Sequence, residues 1–198
     1  MTAVARMQGI QQLAYRKALA SNDATRRRCF ISYHVDDADA VESFIENYGD
    51  VFIGTCVGVT DDDDFVESTN EDYIKRRIRE KYLADTTVTI VLVGECTKSR
   101  KWVDWEIASS LRDNPADARS GLLGINLPHV GSRALAPERL ADNRIKDNPG
   151  ASYAEYYSYP SAKVALRAWI EEAFAARSAK GHLVKNSRPL RQRNTACP

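Results

Sequence analysis

Nothing in this 198-residue sequence approaches the ~18 consecutive apolar residues of a membrane-spanning helix. Residues 1 to 20 contain Arg6, Arg16 and Lys17 but no uninterrupted apolar run of the secretory kind. An acid-free, amphipathic start also suits an organellar presequence, but a packing helix is the better account. Charge bias is lacking as well: Lys+Arg 28 against Asp+Glu 27 leaves +1, so no global field directs the chain to nucleic acid, an acidic membrane or a polyanionic substrate. The four cysteines, Cys29, Cys56, Cys96 and Cys197, form no C-x-x-C pair, and no histidine stands at zinc-finger spacing from them. Reduced thiols and no metal are therefore expected, in a soluble, cytoplasmic protein. No internal repeat is present, and the length suits one domain with trimmings.

What is there is a regular alternation of short apolar runs and helical patterns. Val4, Met7, Ile10 and Leu13 recur every three residues, predicting an N-terminal amphipathic helix within an extension over 1–25. After the breaker Ser21-Asn22-Asp23, Arg28 to Tyr33 reads as a buried strand. Asp36 or Asp37 can then cap a helix whose buried face is Val41, Phe44, Ile45 and Tyr48. Val51-Phe52-Ile53 reads as a second strand, and Gly54 to Asn70, with four consecutive aspartates, as a long loop. Ser68 and Glu71 have capping-box spacing ahead of a helix with Ile74, Ile78 and Tyr82 inward.

Thr87 to Val93 is a non-alternating apolar run of the kind that suits a central parallel strand covered on both faces. A helix over Trp102 to Leu111, a strand over Gly121 to Leu127, a loop over 128–152, a possible edge strand at Tyr156 to Tyr159 and a helix over Ser161 to Ala179 follow. The β-α-β-α-β-α-β order predicts an α/β domain over 26–179: a doubly wound parallel sheet of about five strands flanked by helices. Residues 180–198, with basic residues, no acid and two prolines, read as a flexible tail.

Ligands of open parallel sheets sit outside the carboxyl ends of the strands. Here that selects Ser32 to Asp37, Gly94 to Trp102 and the Gly54–Asn70 loop, which is long enough to be a lid. Glu106 is the carboxylate of first interest, because it stands early on the helix after the central strand, one position from core-facing Ile107 and four from Trp102. A surface glutamate at a helix start would be the bland account. Trp102 and Trp105 beside it argue for a cleft.

Three rivals are weaker. Asp36-Asp37 has the form of a receiver-domain acid pair, but no aspartate ends the central strand to accept phosphate. The Asp61–Asp64 run lacks the alternating spacing of a calcium loop. Cys96 with His34 has no orienting third group for a cysteine hydrolase.

The same residues carry a family resemblance. Phe30-Ile31-Ser32-Tyr33-His34, Tyr73-Ile74-Lys75, Thr87 to Gly94, and Arg100-Lys101-Trp102-Val103-Asp104-Trp105-Glu106-Ile107 together resemble the TIR-like proteins of Thoeris anti-phage systems over roughly residues 28–127. The resemblance implies a flavodoxin-like fold, NAD⁺ as substrate rather than cofactor, and catalytic Glu106 in the W-x-x-x-E spacing. Ser32, Tyr33 and His34 would line the ribose or phosphate pocket, Trp102 would form its wall, and Arg100 and Lys101 would contact phosphate. It further implies a cyclic ADP-ribose-type product read by a downstream effector, with activity controlled by self-association or an activating partner. Plain NAD⁺ hydrolysis and a non-catalytic interaction module are the alternatives.

Overall fold

The computed structural model describes residues 3–56, 70–113, 118–131 and 134–197. Five strands, β1 (Arg28–Ser32), β2 (Ile53–Cys56), β3 (Val88–Val93), β4 (Gly121–Asn126) and β5 (Glu155–Tyr157), form one parallel sheet in the order β2-β1-β3-β4-β5. This order is the flavodoxin-like one, with its switch point between β1 and β3. β3 is central, and all six of its residues are buried, as suits its non-alternating, largely β-branched run.

Among the described residues six α-helices cover the two faces: α1 (Ala3–Leu19), α2 (Ala38–Tyr48), α3 (Glu71–Ile78), α4 (Lys101–Ser110), α5 (Glu138–Asp142) and α6 (Lys163–Ala179). The core on one face joins α1, α2 and α6 to Cys29, Ile31, Tyr33, Ile90, Leu92 and Ile125. On the other face α3, α4 and α5 pack on Phe30, Val91, Val93 and Leu122. Strand alternation assigns the sides. Phe30 faces α4, Ile31 faces α2, and Ser32 turns to α4 again.

Several sequence boundaries shift for identifiable reasons. The second strand is Ile53–Cys56 rather than Val51–Ile53, because Gly54, Thr55 and Cys56 continue the ladder opposite Cys29, Phe30 and Ile31. The N-terminal helix buries Met7, Ile10, Leu13 and Ala14 while Val4 is exposed, and its Gln11 Oε1 accepts the Cys56 amide at 2.6 Å. It thereby covers the open edge of β2. The cap of α3 is Asn70, whose Oδ1 accepts from the Tyr73 amide at 3.0 Å; Ser68, the expected partner, lies outside the described residues, as do most of the proposed lid and Asp61–Asp64. The 128–152 stretch read as loop contains α5.

The flexible-tail reading does not hold. Leu190 is buried with Trp102 and Trp105, Asn186 and Pro189 accept hydrogen bonds from the fully buried Arg139, and Cys197 is disulfide-bonded to Cys96. A polar, basic segment can be ordered without an apolar stripe when its hydrogen bonds go to another element. The expectation of reduced thiols accordingly fails for Cys96 and Cys197, while Cys29 and Cys56 are free and buried.

Candidate functional site at the carboxyl ends of β1 and β3

Helix α4 is buried from Trp102 through Ser110, so every polar side chain on it must find a partner inside the protein. Asp104 receives both Nε and Nη2 of Arg139, at 2.9 and 3.2 Å, and the Arg191 amide at 2.9 Å. Ser109 and Ser110 return to the carbonyls of Trp105 and Ile107. Glu106, 3% exposed, accepts one hydrogen bond, from Ser32 Oγ at 2.6 Å. A carboxylate held by one hydroxyl in such a setting is poorly compensated. Burial pushes its pKa from the ordinary 4.5 up to about 8, with the Ser32 bond pulling the other way.

The helix is fixed at both ends by groups from elsewhere in the chain. Arg100, its N-cap residue, supplies no side-chain cap, and Asn194 Oδ1 accepts the Lys101 amide at 2.8 Å instead. At the other end the buried Arg79 guanidinium, carried on a π-helical turn over Arg79–Leu83, donates to the carbonyls of Ser109, Ser110 and Ala118. The position of Glu106 thus depends on tertiary contacts more than on local helix propensity.

Sequence and structure agree unevenly on the remaining site residues. Ser32 and Glu106 are brought together. Tyr33 points to the opposite face, into the core beneath α2; burial chiefly, and then nearby Cys56 and Glu106, push its hydroxyl pKa well upward. His34 is buried at the end of β1, with Nδ1 3.4 Å from the Asp36 carboxylate. The Trp102 indole is 5% exposed and packs edge-on against Trp105, ring centroids 5.0 Å apart, among Phe30, Ile74, Ile78, Leu83 and Leu190. Packing therefore accounts for the two tryptophans, contrary to the cleft argument made from their company. The Lys101 ammonium stands 5.6 and 5.1 Å from the Trp102 and Trp105 ring centres, a cation–π arrangement on the outer side of the helix.

A second polar cluster went unread. Asp37, considered only as a helix cap or as half of a receiver-type acid pair, makes no side-chain cap to α2. It is buried, with Oδ1 3.1 Å from His129 Nε2 and Oδ2 3.4 Å from Thr97 Oγ1, and burial raises its pKa against the opposing pull of His129, His34 and Thr97. Thr97 Oγ1 also accepts the Gly94 amide at 2.8 Å. A side chain at Gly94 would collide with the Asp37 carboxylate, so the absence of a Cβ lets the turn after β3 close on it. His129 follows β4, and the rule that ligands lie beyond strand carboxyl ends would have found it.

Away from these clusters, a groove of about 490 Å³ lies between α6 and β4–β5, lined by Leu122, Tyr153, Tyr157, Trp169 and Ala173 among others. Its lining includes none of Ser32, His34, Asp37, Glu106 or His129. No group of three or more His, Cys, Asp or Glu side chains suited to a metal ion occurs among the described residues, and no described helix is long and apolar enough to cross a membrane.

A doubly wound, flavodoxin-like domain with a sequestered carboxylate at its switch point defines the class: a TIR-like α/β domain. The family model for the TIR-like domain of Thoeris protein ThsB matches residues 30–132, more than half the chain, and the chain belongs to that family. It is thus a TIR-like protein of the Thoeris anti-phage defence type. No curated protein matches it.

Proposed function

We infer that this chain cleaves the nicotinamide–ribose bond of NAD⁺, with Glu106 as the catalytic carboxylate, and forms a cyclic ADP-ribose-type signal. The observation that carries the reading is the burial of Glu106 against Ser32 at the carboxyl end of β1, with its pKa raised to about 8. Structural carboxylates are normally given full ion pairs, as Asp104 is by Arg139.

Nicotinamide departs as a neutral base, so bond breaking requires no general acid, whereas hydrolysis of a sugar ether usually takes two carboxyl groups. One carboxylate suffices to stabilise the oxocarbenium-like charge and to hold a ribose hydroxyl. Burial favours the protonated acid below pH 8. A positively charged pyridinium ring placed beside it reverses that preference, because a nearby cation favours the anion. Substrate thus generates the charge that its own transition state needs. Ser32 fixes the carboxylate and His34, at the same strand end, shapes the ribose side; Tyr33, turned into the core beneath α2, and Trp102, packed on Trp105, support the site from within the fold rather than line it. Arg100, at the β3–α4 connection, contacts phosphate more directly than Lys101, whose ammonium lies over the indoles.

NAD⁺ is the substrate and no cofactor or metal takes part. Self-association or an activating partner in the cytoplasm controls turnover, and a downstream effector senses the product nucleotide. Incubation of concentrated protein with NAD⁺, followed by mass spectrometry, tests the reading. Nicotinamide with a cyclic nucleotide is expected. Linear ADP-ribose alone would make it a plain hydrolase, and intact NAD⁺ at every concentration would leave a non-catalytic interaction module.

A further inference from the structure

The C-terminal segment runs antiparallel along α4, and its contacts descend the helix in strict order. Asn186 Nδ2 donates to the Ala108 carbonyl at 2.9 Å, and Trp105 Nε1 donates to the Arg191 carbonyl at 2.8 Å. Next, Asn194 Oδ1 accepts the Lys101 amide at 2.8 Å, the Thr195 amide donates to the Ser99 carbonyl and the Ser99 hydroxyl donates to the Ala196 carbonyl, the last two each at 3.0 Å. The series ends at the Cys96–Cys197 disulfide, Cα atoms 4.8 Å apart. Between these points Leu190 is the one strap residue that is fully buried, and its amide reaches Glu71 Oε1 on α3 at 3.0 Å.

We propose that residues 184–197 are a redox-tethered strap, in which the Cys96–Cys197 disulfide, opened by small thiols, sets whether Asn194 caps the helix carrying Glu106. Three observations combine here. Beyond Arg191, which also pairs with Glu138, the strap end is held by backbone and side-chain hydrogen bonds and buries no apolar side chain, so the covalent link is its firmest anchor. Asn194, the residue that satisfies the helix N-terminus, lies three positions from Cys197, and α4 has no side-chain cap of its own. Finally, Cys197 is exposed and Cys96 half-buried, which leaves the sulfurs open to attack.

The exchange balances without further reagents. A small-molecule thiolate attacks the Cys197 sulfur, forming a mixed disulfide and expelling Cys96 as its thiolate. A second thiolate then displaces Cys197, giving two protein thiols and one small-molecule disulfide, and a disulfide such as oxidised glutathione runs the sequence backwards. In the opened state Arg191 and Asn194 leave the helix, the Lys101 amide loses the Asn194 bond, and the first turn of α4 frays toward Glu106.

The tether goes beyond the proposed activity, but its effect on turnover rests on it, so the test separates the two. The full chain is held in oxidised glutathione or in dithiothreitol, with thiols counted by mass after alkylation, and is digested briefly with trypsin. Cleavage after Arg191 and Arg193 should be at least tenfold faster in the reduced protein, and Cys197→Ser should behave like it under both conditions. NAD⁺ turnover should fall severalfold on reduction and in Asn194→Ala, which leaves the disulfide intact. Four alkylated thiols in the oxidised sample, or equal trypsin resistance in both states, would overturn the tether. Strap release without a change in turnover would overturn its coupling to catalysis. If oxidised and reduced protein alike leave NAD⁺ intact, the reading of the site fails, and trypsin alone decides the tether.

Discussion

Replacing Glu106 by glutamine should remove catalysis and at the same time stabilise the protein, increasingly so as pH rises. The carboxyl group has a folded-state pKa of about 8 against the ordinary 4.5. Between those values the unfolded chain has released a proton that the folded chain keeps. Stability contributed by the neutral acid is therefore complete below 4.5 and is lost as pH climbs to 8. Each pH unit in that window costs the wild type about 1.4 kcal/mol. Glutamine carries no charge at any pH and can still accept from Ser32, although its amide hydrogens find no ready partner, a fixed cost of about 1–2 kcal/mol. The difference between variant and wild type should accordingly move in the variant's favour by about 3 kcal/mol from pH 5 to pH 7.5. For a chain of this size that is roughly 6–12 °C in Tm. Thermal denaturation of both proteins across pH measures it, together with turnover of NAD⁺, whose kcat/KM in the wild type should rise with a midpoint near pH 8 and level off above it. Parallel Tm curves for the two proteins would refute the buried-acid reasoning whatever the activity.

Ser32→Ala removes the bond that holds the Glu106 pKa down, so the rise of kcat/KM should shift to higher pH, with a loss at neutral pH smaller than that of Glu106→Gln. His34→Ala should also cost less than Glu106→Gln, since it alters positioning and not transition-state charge; an equal loss would give His34 a chemical role. Asp104→Ala strands the fully buried Arg139 guanidinium and should cost about 3–5 kcal/mol in urea denaturation, largely recovered when Arg139 is also replaced by an apolar residue. A loss below about 1 kcal/mol would show that Asn186 and Pro189 suffice for that guanidinium. Specific activity should climb with protein concentration if self-association controls the site, and a flat profile would exclude that control.

The sheet was legible because parallel strands announce themselves by unbroken apolar runs, and Thr87–Val93 is one. Its neighbours in the ladder were harder to place. Gly54, Thr55 and Cys56 carry no strand signal of their own and join only because β1 lies beside them. Glu106 and Ser32 were recognisable from the spacing of their motifs, and their hydrogen bond follows from the alternation that sends Ser32 to the α4 side. Tyr33, one residue on, faces away for the same reason. Trp102 misled, since an indole beside an acid reads the same in sequence whether it lines a cleft or a core. The strap left no periodic trace at all. Its order comes from bonds to residues about ninety positions earlier in the chain, such as Lys101 with Asn194, and local pattern has no access to those.

The end caps of α4 give the molecule a timetable. One comes from Arg79, synthesised before the helix, and the other from Asn194, synthesised long after it. A growing chain can therefore lay down β1 to β4 and even α6 while the turn in front of Glu106 still has unsatisfied amides. The helix settles only when the segment around Asn194 reaches it. For a protein whose proposed substrate is a cofactor that every cell depends on, a partly made copy stays harmless until the segment around Asn194 has been made.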